Sequence, residues 1–345
     1  MSVPEPIPVL RMFYLHALVE VLREYGGAGD AQLRRFNLPG KPPDKPDQYV
    51  PLKAVLSFAR WAASCAGVED LALRAGLRLQ VADFDPCLRG AVLRAPTLGA
   101  ALENFCTMAE RELAPVRYRL VRTGDAVRIA SALGKLSLCE SDNCGEWLRI
   151  MPLLAIVRHF ADSGGMPTAI AFRSRSAPGQ SARLAFPGTR LLTGQAETAI
   201  VFPASLLHLT AIGDPSREEA FSMRRRLSAA PGEANWDFPT SLREVLRAYL
   251  DDGHPSVELA AEIACTTVRT LQRRLRQFDL SNSDILEQLR FEEAKHLLRD
   301  RDVKMIDAAY ALGYSDPSNF TRAFRRMAGV SPRQFRAESV ALSAL

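Results

Sequence analysis

Residues 257–276 read VELAAEIACTTVRTLQRRLR, and residues 305–325 read MIDAAYALGYSDPSNFTRAFR. In the first stretch Val257, Ala260, Ala261 and Ala264 stand at i, i+3, i+4 and i+7. Met305, Ala308, Ala309 and Leu312 repeat that spacing in the second, 48 residues on. An α-helix returns to the same face about every 3.6 residues, so each set makes one apolar stripe. Both stripes run into a short connection, Cys265-Thr266-Thr267 in one copy and Gly313-Tyr314-Ser315 in the other, and each connection opens a further helix. The second helices also match: Leu271–Arg276 aligns with Phe320–Arg325. A short helix, a tight turn and a second helix form a helix-turn-helix, whose second member fits the roughly 12 Å major groove of B-DNA. The duplication predicts two such units in one chain.

Charge is sorted to match. Arg269, Arg273, Arg274 and Arg276 crowd the first of these second helices, and Arg322, Arg325, Arg326, Arg333 and Arg336 crowd the other and its tail. The acids Asp251, Asp252, Glu258, Glu262, Asp284, Glu287, Glu292 and Glu293 fall on the remaining segments. A run of like charge is ordinarily a solvated face; here both runs coincide with the helices that should enter grooves. Between the units Ser283–Leu298 reads as one helix, with Leu286, Leu289, Leu297 and Leu298 for packing. At 1.5 Å per residue it spans roughly 24 Å, a strut that holds the reading helices about one DNA turn (~34 Å) apart.

Three runs carry a resemblance: Arg269–Leu275 (RTLQRRL), Ala309–Arg325 (AYALGYSDPSNFTRAFR) and Gly329–Arg336 (GVSPRQFR). They are similar to the DNA-binding domain of the AraC/XylS family of transcription regulators, over roughly residues 241–337. Upstream, Ala95–Leu102 (APTLGAAL) and Thr198–Leu207 (TAIVFPASLL) resemble the non-cupin, arabinose-binding-like sensor domain of one branch of that family. The resemblance implies base contacts at Arg269, Gln272 and Arg273 in the first unit, and at Ser318, Asn319, Thr321 and Arg322 in the second. The side-chain chemistry agrees, since arginine takes guanine through two hydrogen bonds and glutamine or asparagine suits adenine. Arg276, Arg325, Arg326 and Arg336 complete the expected DNA-binding set, with Arg336 facing phosphate. Leu271, Leu275, Phe320, Phe324 and Met327 should point inward, and Asp316 should cap its helix with Pro317 in the first turn. Three positions depart from the pattern. Cys265 and Asp279 stand where glycine is usual, and Lys304 replaces a Ser or Thr cap.

Upstream of the repeat the texture is mixed. Residues 7–25 read as an amphipathic helix, helical patterns run from Leu52 to about Gly76, and Thr97 should cap a helix over Leu98–Leu113. Val116–Arg122 and Ala126–Ala132, split by Thr123-Gly124-Asp125, read as a hairpin. A helix over Glu146–Ser163 and strands near Ala169–Arg173 and Thr198–Phe202 follow. A charged helix around Pro215–Ala229 then ends at Ala230-Pro231-Gly232-Glu233, and the polar stretch to Pro239 reads as a hinge. The expected architecture is an α+β domain of helices and a small antiparallel sheet, followed by an all-α domain with two helix-turn-helix units joined by a linker helix. Its boundaries are 1–212 for sensing and dimerisation, 213–240 for helix and linker, and 241–345 for DNA.

Composition sets the rest of the frame. The chain has 345 residues, 47% hydrophobic and 24% charged, with a net charge of +5, and its pI is near 9.0. That balance permits nucleic-acid binding without demanding it. No apolar run approaches the ~20 residues of a membrane span, and Arg11, His16 and Glu20 interrupt the N-terminal apolar stretch. The expectation is a cytoplasmic protein without a signal peptide. Six cysteines are scattered among apolar neighbours, and Cys139 and Cys144, the close pair, have no histidine beside them for a zinc set. No cofactor and no metal are expected. Nucleophile elbow, P-loop and dinucleotide fingerprints are missing, and His159 and His208 stand alone in apolar surroundings, so an enzyme is not expected.

The expected function is a one-component regulator, an activator, that reads double-stranded DNA as a homodimer and recruits RNA polymerase. A small-molecule effector would enter among the aromatics Phe13, Tyr14, Phe58, Trp61, Phe84, Phe105, Trp147 and Phe160. Phe58, Trp61, Arg89, Arg94 and Trp147 are the candidate ligand residues, the arginines suiting an anion. The rival reading is a constitutive dimeric regulator without a ligand, in which those rings simply fill the core.

Overall fold

The computed structural model describes residues 3–27, 30–40, 47–133, 143–161, 165–210, 236–250, 255–299 and 303–343. The chain divides into two compact units, residues 8–236 and residues 237–345 with residues 1–7. The charged helix expected over 215–229 and Cys139 lie outside the described residues.

The larger unit begins with β1 (Val9–Arg11), α1 (Met12–Glu24), α2 (Asp30–Arg35), β2 (Tyr49–Pro51), α3 (Leu52–Ala66) and α4 (Leu71–Arg78). Next come α5 (Pro86–Leu93), α6 (Leu98–Met108), β3 (Leu113–Ala114), β4 (Arg117–Thr123) and β5 (Ala126–Ala132). It closes with α7 (Cys144–Ala161), β6 (Ala169–Ala171), α8 (Gln180–Ala185), β7 (Arg190–Leu192) and β8 (Thr198–Pro203). The first helix therefore starts at Met12 and not at residue 7, because Val9–Arg11 pair with β2 on one side and β3 on the other. Thr97 caps α6 as expected, its hydroxyl oxygen accepting the Ala100 N–H. The expected hairpin is β4–β5, turning at Gly124-Asp125 with Thr123 opposite Ala126.

A five-stranded sheet runs β4-β5-β8-β6-β7, antiparallel except for the parallel β6–β7 pair. Its inner face, with Val127, Ile129, Ile170, Ile200 and Phe202, is buried, and α6 and α7 pack against this sheet. Its outer face carries Arg119 and Arg128, both paired with Glu197. Two buried ionic clusters hold the layers together. Glu146, near the start of α7, accepts the backbone N–H groups of Arg173 and Ser174 and the Thr198 hydroxyl, while Arg149 donates to that same hydroxyl oxygen. Arg11 donates to Glu112 (3.2 Å), to Asp47 (2.5 Å) and to the Asp83 carbonyl (2.8 Å). Burial works against the Arg11 charge, but Glu112 and Asp47 outweigh it and raise the guanidinium pKa. Charges this deep are tolerated only where every partner is in place.

Every secondary-structure element of the smaller unit is a helix among its described residues. It comprises α9 (Phe238–Arg247), α10 (Val257–Ile263), α11 (Val268–Arg276), α12 (Asn282–Arg299), α13 (Met305–Ala311), α14 (Pro317–Ala328) and α15 (Pro332–Ser343). The Asp237 carboxylate accepts the Thr240 N–H and so starts α9 a few residues ahead of the expected boundary at Ser241. Ile7 belongs to this unit too. It is buried, and its N–H donates to the Ser241 Oγ (2.9 Å), which donates in turn to the Phe238 carbonyl (2.9 Å).

The turns of the two copies differ in strain. Gly313, after α13, has φ +74°, a left-handed backbone that costs glycine nothing. The matching residue after α10 is Cys265, held at φ +49°, and Asp279 after α11 sits at +55°. A Cβ in that region costs about 1–2 kcal/mol, against which glycine loses ~0.5–1 kcal/mol of chain entropy. Cys265→Gly is therefore expected to stabilise the smaller unit by about 0.5–1 kcal/mol in urea titration, whereas Cys265→Ala, which leaves the strain in place, does not.

Candidate nucleic-acid interface

Each helix-turn-helix is built from the inside outward. In the first, Ala260, Ala261, Ile263, Leu271 and Leu275 are buried together with Phe238 and Leu242 of α9 and Ile285 and Leu289 of α12. In the second, Ala294, Leu298, Ala309, Leu312, Phe320 and Phe324 form one core, with Phe291, Met305, Tyr314 and Phe335 packed against it. Of the residues expected to point inward, Leu271, Leu275, Phe320 and Phe324 are buried and Met327 is half-buried. The linker helix is 18 residues, roughly 27 Å long. It packs on α9 at one unit and on α13, α14 and α15 at the other. The ion pair of Arg247 with Glu292 ties it to α9.

Burial of one face fixes what the opposite face presents. On α11, Arg269, Gln272, Arg273 and Arg276 are all exposed, and their i, i+3/i+4, i+7 spacing puts them on one side. Arg269, Arg273 and Arg276 form no ion pair among the described residues, so their charge is open to an anion. Arg274 faces elsewhere, its guanidinium lying over the Phe238 ring at 5.5 Å. Thr267 caps this helix by accepting the Thr270 N–H.

On α14, Ser318, Asn319, Thr321, Arg322, Arg325 and Arg326 are exposed. Asp316 caps the helix through the Ser318 N–H (2.8 Å), and Pro317 occupies the first turn as expected. That N–H, the Ser318 side chain and the nearby Arg322 charge hold the Asp316 carboxyl below its ordinary range. A carboxyl whose folded pKa is depressed stabilises the fold above its unfolded pKa and loses that stabilisation as pH falls through the folded value. Arg322 donates to the Asn319 Oδ1 at 2.6 Å, so the two exposed side chains meet on this face. Thr321 donates to the Pro317 carbonyl, and Arg326 pairs with Glu287 of the linker helix.

Arg336 stands differently. It is half-buried on α15, and its guanidinium is directed at two backbone carbonyls rather than at open solvent. Lys304 precedes α13 without any side-chain cap. Sequence charge alone does not separate these cases, because it says which residues are cationic and not which cations are already partnered.

The candidate ligand residues are only partly brought together. Phe58 and Trp61 lie side by side (6.5 Å) and both meet Phe36, with the Arg35 guanidinium over the Trp61 ring. Arg89 donates to the Ala82 carbonyl (2.8 Å), and Arg94 is exposed at the end of α5. Trp147 is buried against Phe172 and stacked on Phe186. Phe186 also lines an open recess of about 400 Å³ with Arg183, Thr189 and Thr193, and none of the five candidates lines it. Among the described residues no helix is long and apolar enough to cross a membrane.

Comparison with known proteins follows this division. Residues 260–338 match the family model described as a helix-turn-helix domain. Residues 26–211 match the model described as the arabinose-binding domain of AraC transcription regulator, N-terminal. The chain is 36% identical over 129 residues to the HTH-type transcriptional activator RhaS of Enterobacter sp. (strain 638), covering 35% of this chain and 45% of that one. It is 34% identical over 108 residues to RhaS of Escherichia coli (strain SE11), covering 30% and 39%. The chain thus spans less than half the length of each of these relatives. Among solved structures, the transcriptional regulator CdpR from Pseudomonas aeruginosa aligns over 89% of this chain and 97% of its own, at 20% identity and a TM-score of 0.38. A DNA-binding transcriptional dual regulator from Escherichia coli K-12 aligns over 30% and 92%, at 21% identity and a TM-score of 0.28.

Proposed function

The chain belongs to the AraC family of transcription regulators, with an arabinose-binding-type domain ahead of its helix-turn-helix domain, and from that premise we propose that it is an effector-controlled activator that reads two successive major-groove segments of one operator. The observation that carries this is the pair of exposed polar faces, Arg269/Gln272/Arg273/Arg276 on α11, which packs on α9 and α10, and Ser318/Asn319/Thr321/Arg322/Arg325 on α14, which packs on the linker helix. Such a face supplies both the phosphate attraction and the bidentate donors that base reading needs. Arg326 would join it once released from Glu287. The regulator acts in the cytoplasm as a homodimer and brings RNA polymerase to the promoter; the activator role follows the RhaS relatives. It is not proposed to be an enzyme. Genome-wide mapping of bound sites tests the reading: enrichment of one two-segment motif supports it, and no enrichment over random duplex at moderate salt sinks it.

A small molecule is proposed to act through residues 8–210, whose match to the arabinose-binding model supports a sensing role. The ring contacts of Phe58 and Trp61 with Phe36, and of Trp147 with Phe172 and Phe186, favour a second reading, a constitutive regulator in which these rings pack the core. A ligand that binds the native state alone raises its melting temperature, and the rise continues with the logarithm of ligand concentration. A metabolite panel in thermal-shift format is expected to yield at least one dose-dependent rise. Tight operator binding with no shift from any compound would leave the constitutive reading standing.

A further inference from the structure

Resting on the DNA reading proposed above, we propose that Arg336 is a positioning residue, one that locks the second helix-turn-helix to the end of the linker helix and does not ligate phosphate. Its Nε donates to the Leu298 carbonyl at 3.2 Å, and its Nη2 donates to the Val303 carbonyl at 2.7 Å. Leu298 lies in the last turn of α12, where carbonyls have no partner within the helix. Val303 stands just ahead of α13, which starts at Met305. One planar group on α15 therefore joins the end of the linker helix to the entry of the next unit. Its positive charge also sits where the helix dipole is negative.

The neighbouring residue completes the anchor. Phe335 places its ring 5.4 Å from that of Phe324 in the second core, so α15 is held by an aromatic contact and by a two-point polar clamp in adjacent positions. A guanidinium carries its donors in a rigid fork and can span two carbonyls at a fixed separation; an ammonium is a single point on a flexible stem. The clamp acts on the joint between α12 and α13, where the angle between the two reading helices is set. A loose joint still permits each unit to bind, but it removes the preorganisation that lets both bind at one spacing.

The test uses the full chain and a duplex that the wild-type protein selects from a random pool, with versions carrying one or two base pairs inserted between the two read segments. Wild type is expected to discriminate sharply against the insertions. Arg336→Ala and Arg336→Lys are each expected to bind the selected duplex about tenfold more weakly. Both should tolerate the insertions better than wild type, with the slope of log K against log salt unchanged. The lysine variant decides between roles because it keeps the charge and loses the fork. If it matches wild type in affinity and spacing, and the alanine variant lowers the salt slope by about one, Arg336 is a phosphate ligand and the clamp is wrong. Circular dichroism checks folding, and should the alanine variant be unfolded, the lysine variant and Arg336→Gln decide on the same readouts. Arg322→Ala, run alongside, keeps the two ideas apart. If wild type selects no duplex and Arg322→Ala changes no base preference, the DNA reading fails and the clamp falls with it; a normal Arg322 result with a wild-type-like lysine variant removes the clamp alone.

Discussion

Phe324→Ala is expected to cost ~3–5 kcal/mol and to disassemble the second helix-turn-helix. Phe324 is 2% exposed, and its ring meets those of Phe291 (5.1 Å), Phe335 (5.4 Å) and Phe320 (5.9 Å). Truncation leaves a cavity at the point where the linker helix, α14 and α15 converge. Because a domain holds only ~5–15 kcal/mol in total, that loss is a large share of the unit's stability. Urea titration should show an early transition, and DNA affinity should fall to the level the first unit sustains alone. A cost below about 1 kcal/mol, as for a surface substitution, would mean that the aromatic cluster is not the core of this unit.

The second large effect concerns specificity. Arg322→Ala is expected to weaken binding to the selected duplex by ~1–3 kcal/mol and to relax preference at a single base pair. The guanidinium meets the Asn319 side chain on the same exposed face, so the two can address neighbouring groups together. Binding assays against duplexes with each base pair replaced in turn give the answer. A uniform loss across all sequences, with a shallower salt dependence, would place Arg322 on the phosphate backbone and remove it from the reading set.

What the residues announced in advance follows physical lines. The double helix-turn-helix was legible because its signals are local and repeated: apolar stripes at helical spacing, a cap at Asp316 and a proline in the first turn of α14. The strands β4, β5, β6 and β8 were legible from their β-rich texture and the Gly124-Asp125 turn. The small sheet of β1, β2 and β3 was not, since two or three residues are too few to show an alternation and their pairing partners are distant in sequence. Arg11 and Glu146 looked like ordinary charges among apolar neighbours; only the fold brings Glu112, Thr198 and the Arg173 and Ser174 amides around them. Aromatic composition cannot tell a ring that lines a pocket from one that fills a core: Phe58 is buried beside Phe36 and Trp61, and Trp147 beside Phe172 and Phe186. The arginines divide in a similar way. Arg273 faces solvent, Arg274 covers Phe238, and Arg336 is directed at carbonyls, distinctions that depend on rotation about a helix axis and on neighbours far along the chain.

One consequence bears on how parts of this protein can be recombined. The segment ending in Ile7 is folded with α9, its amide held by Ser241, although more than two hundred residues of the other unit intervene. A chimera that grafts a foreign sensor ahead of residue 237 by a single junction would strip the reading module of that edge and bare the apolar seat beneath it. Domain exchange here calls for two crossovers, one on each side of the transplanted domain, with the stretch around Ile7 retained.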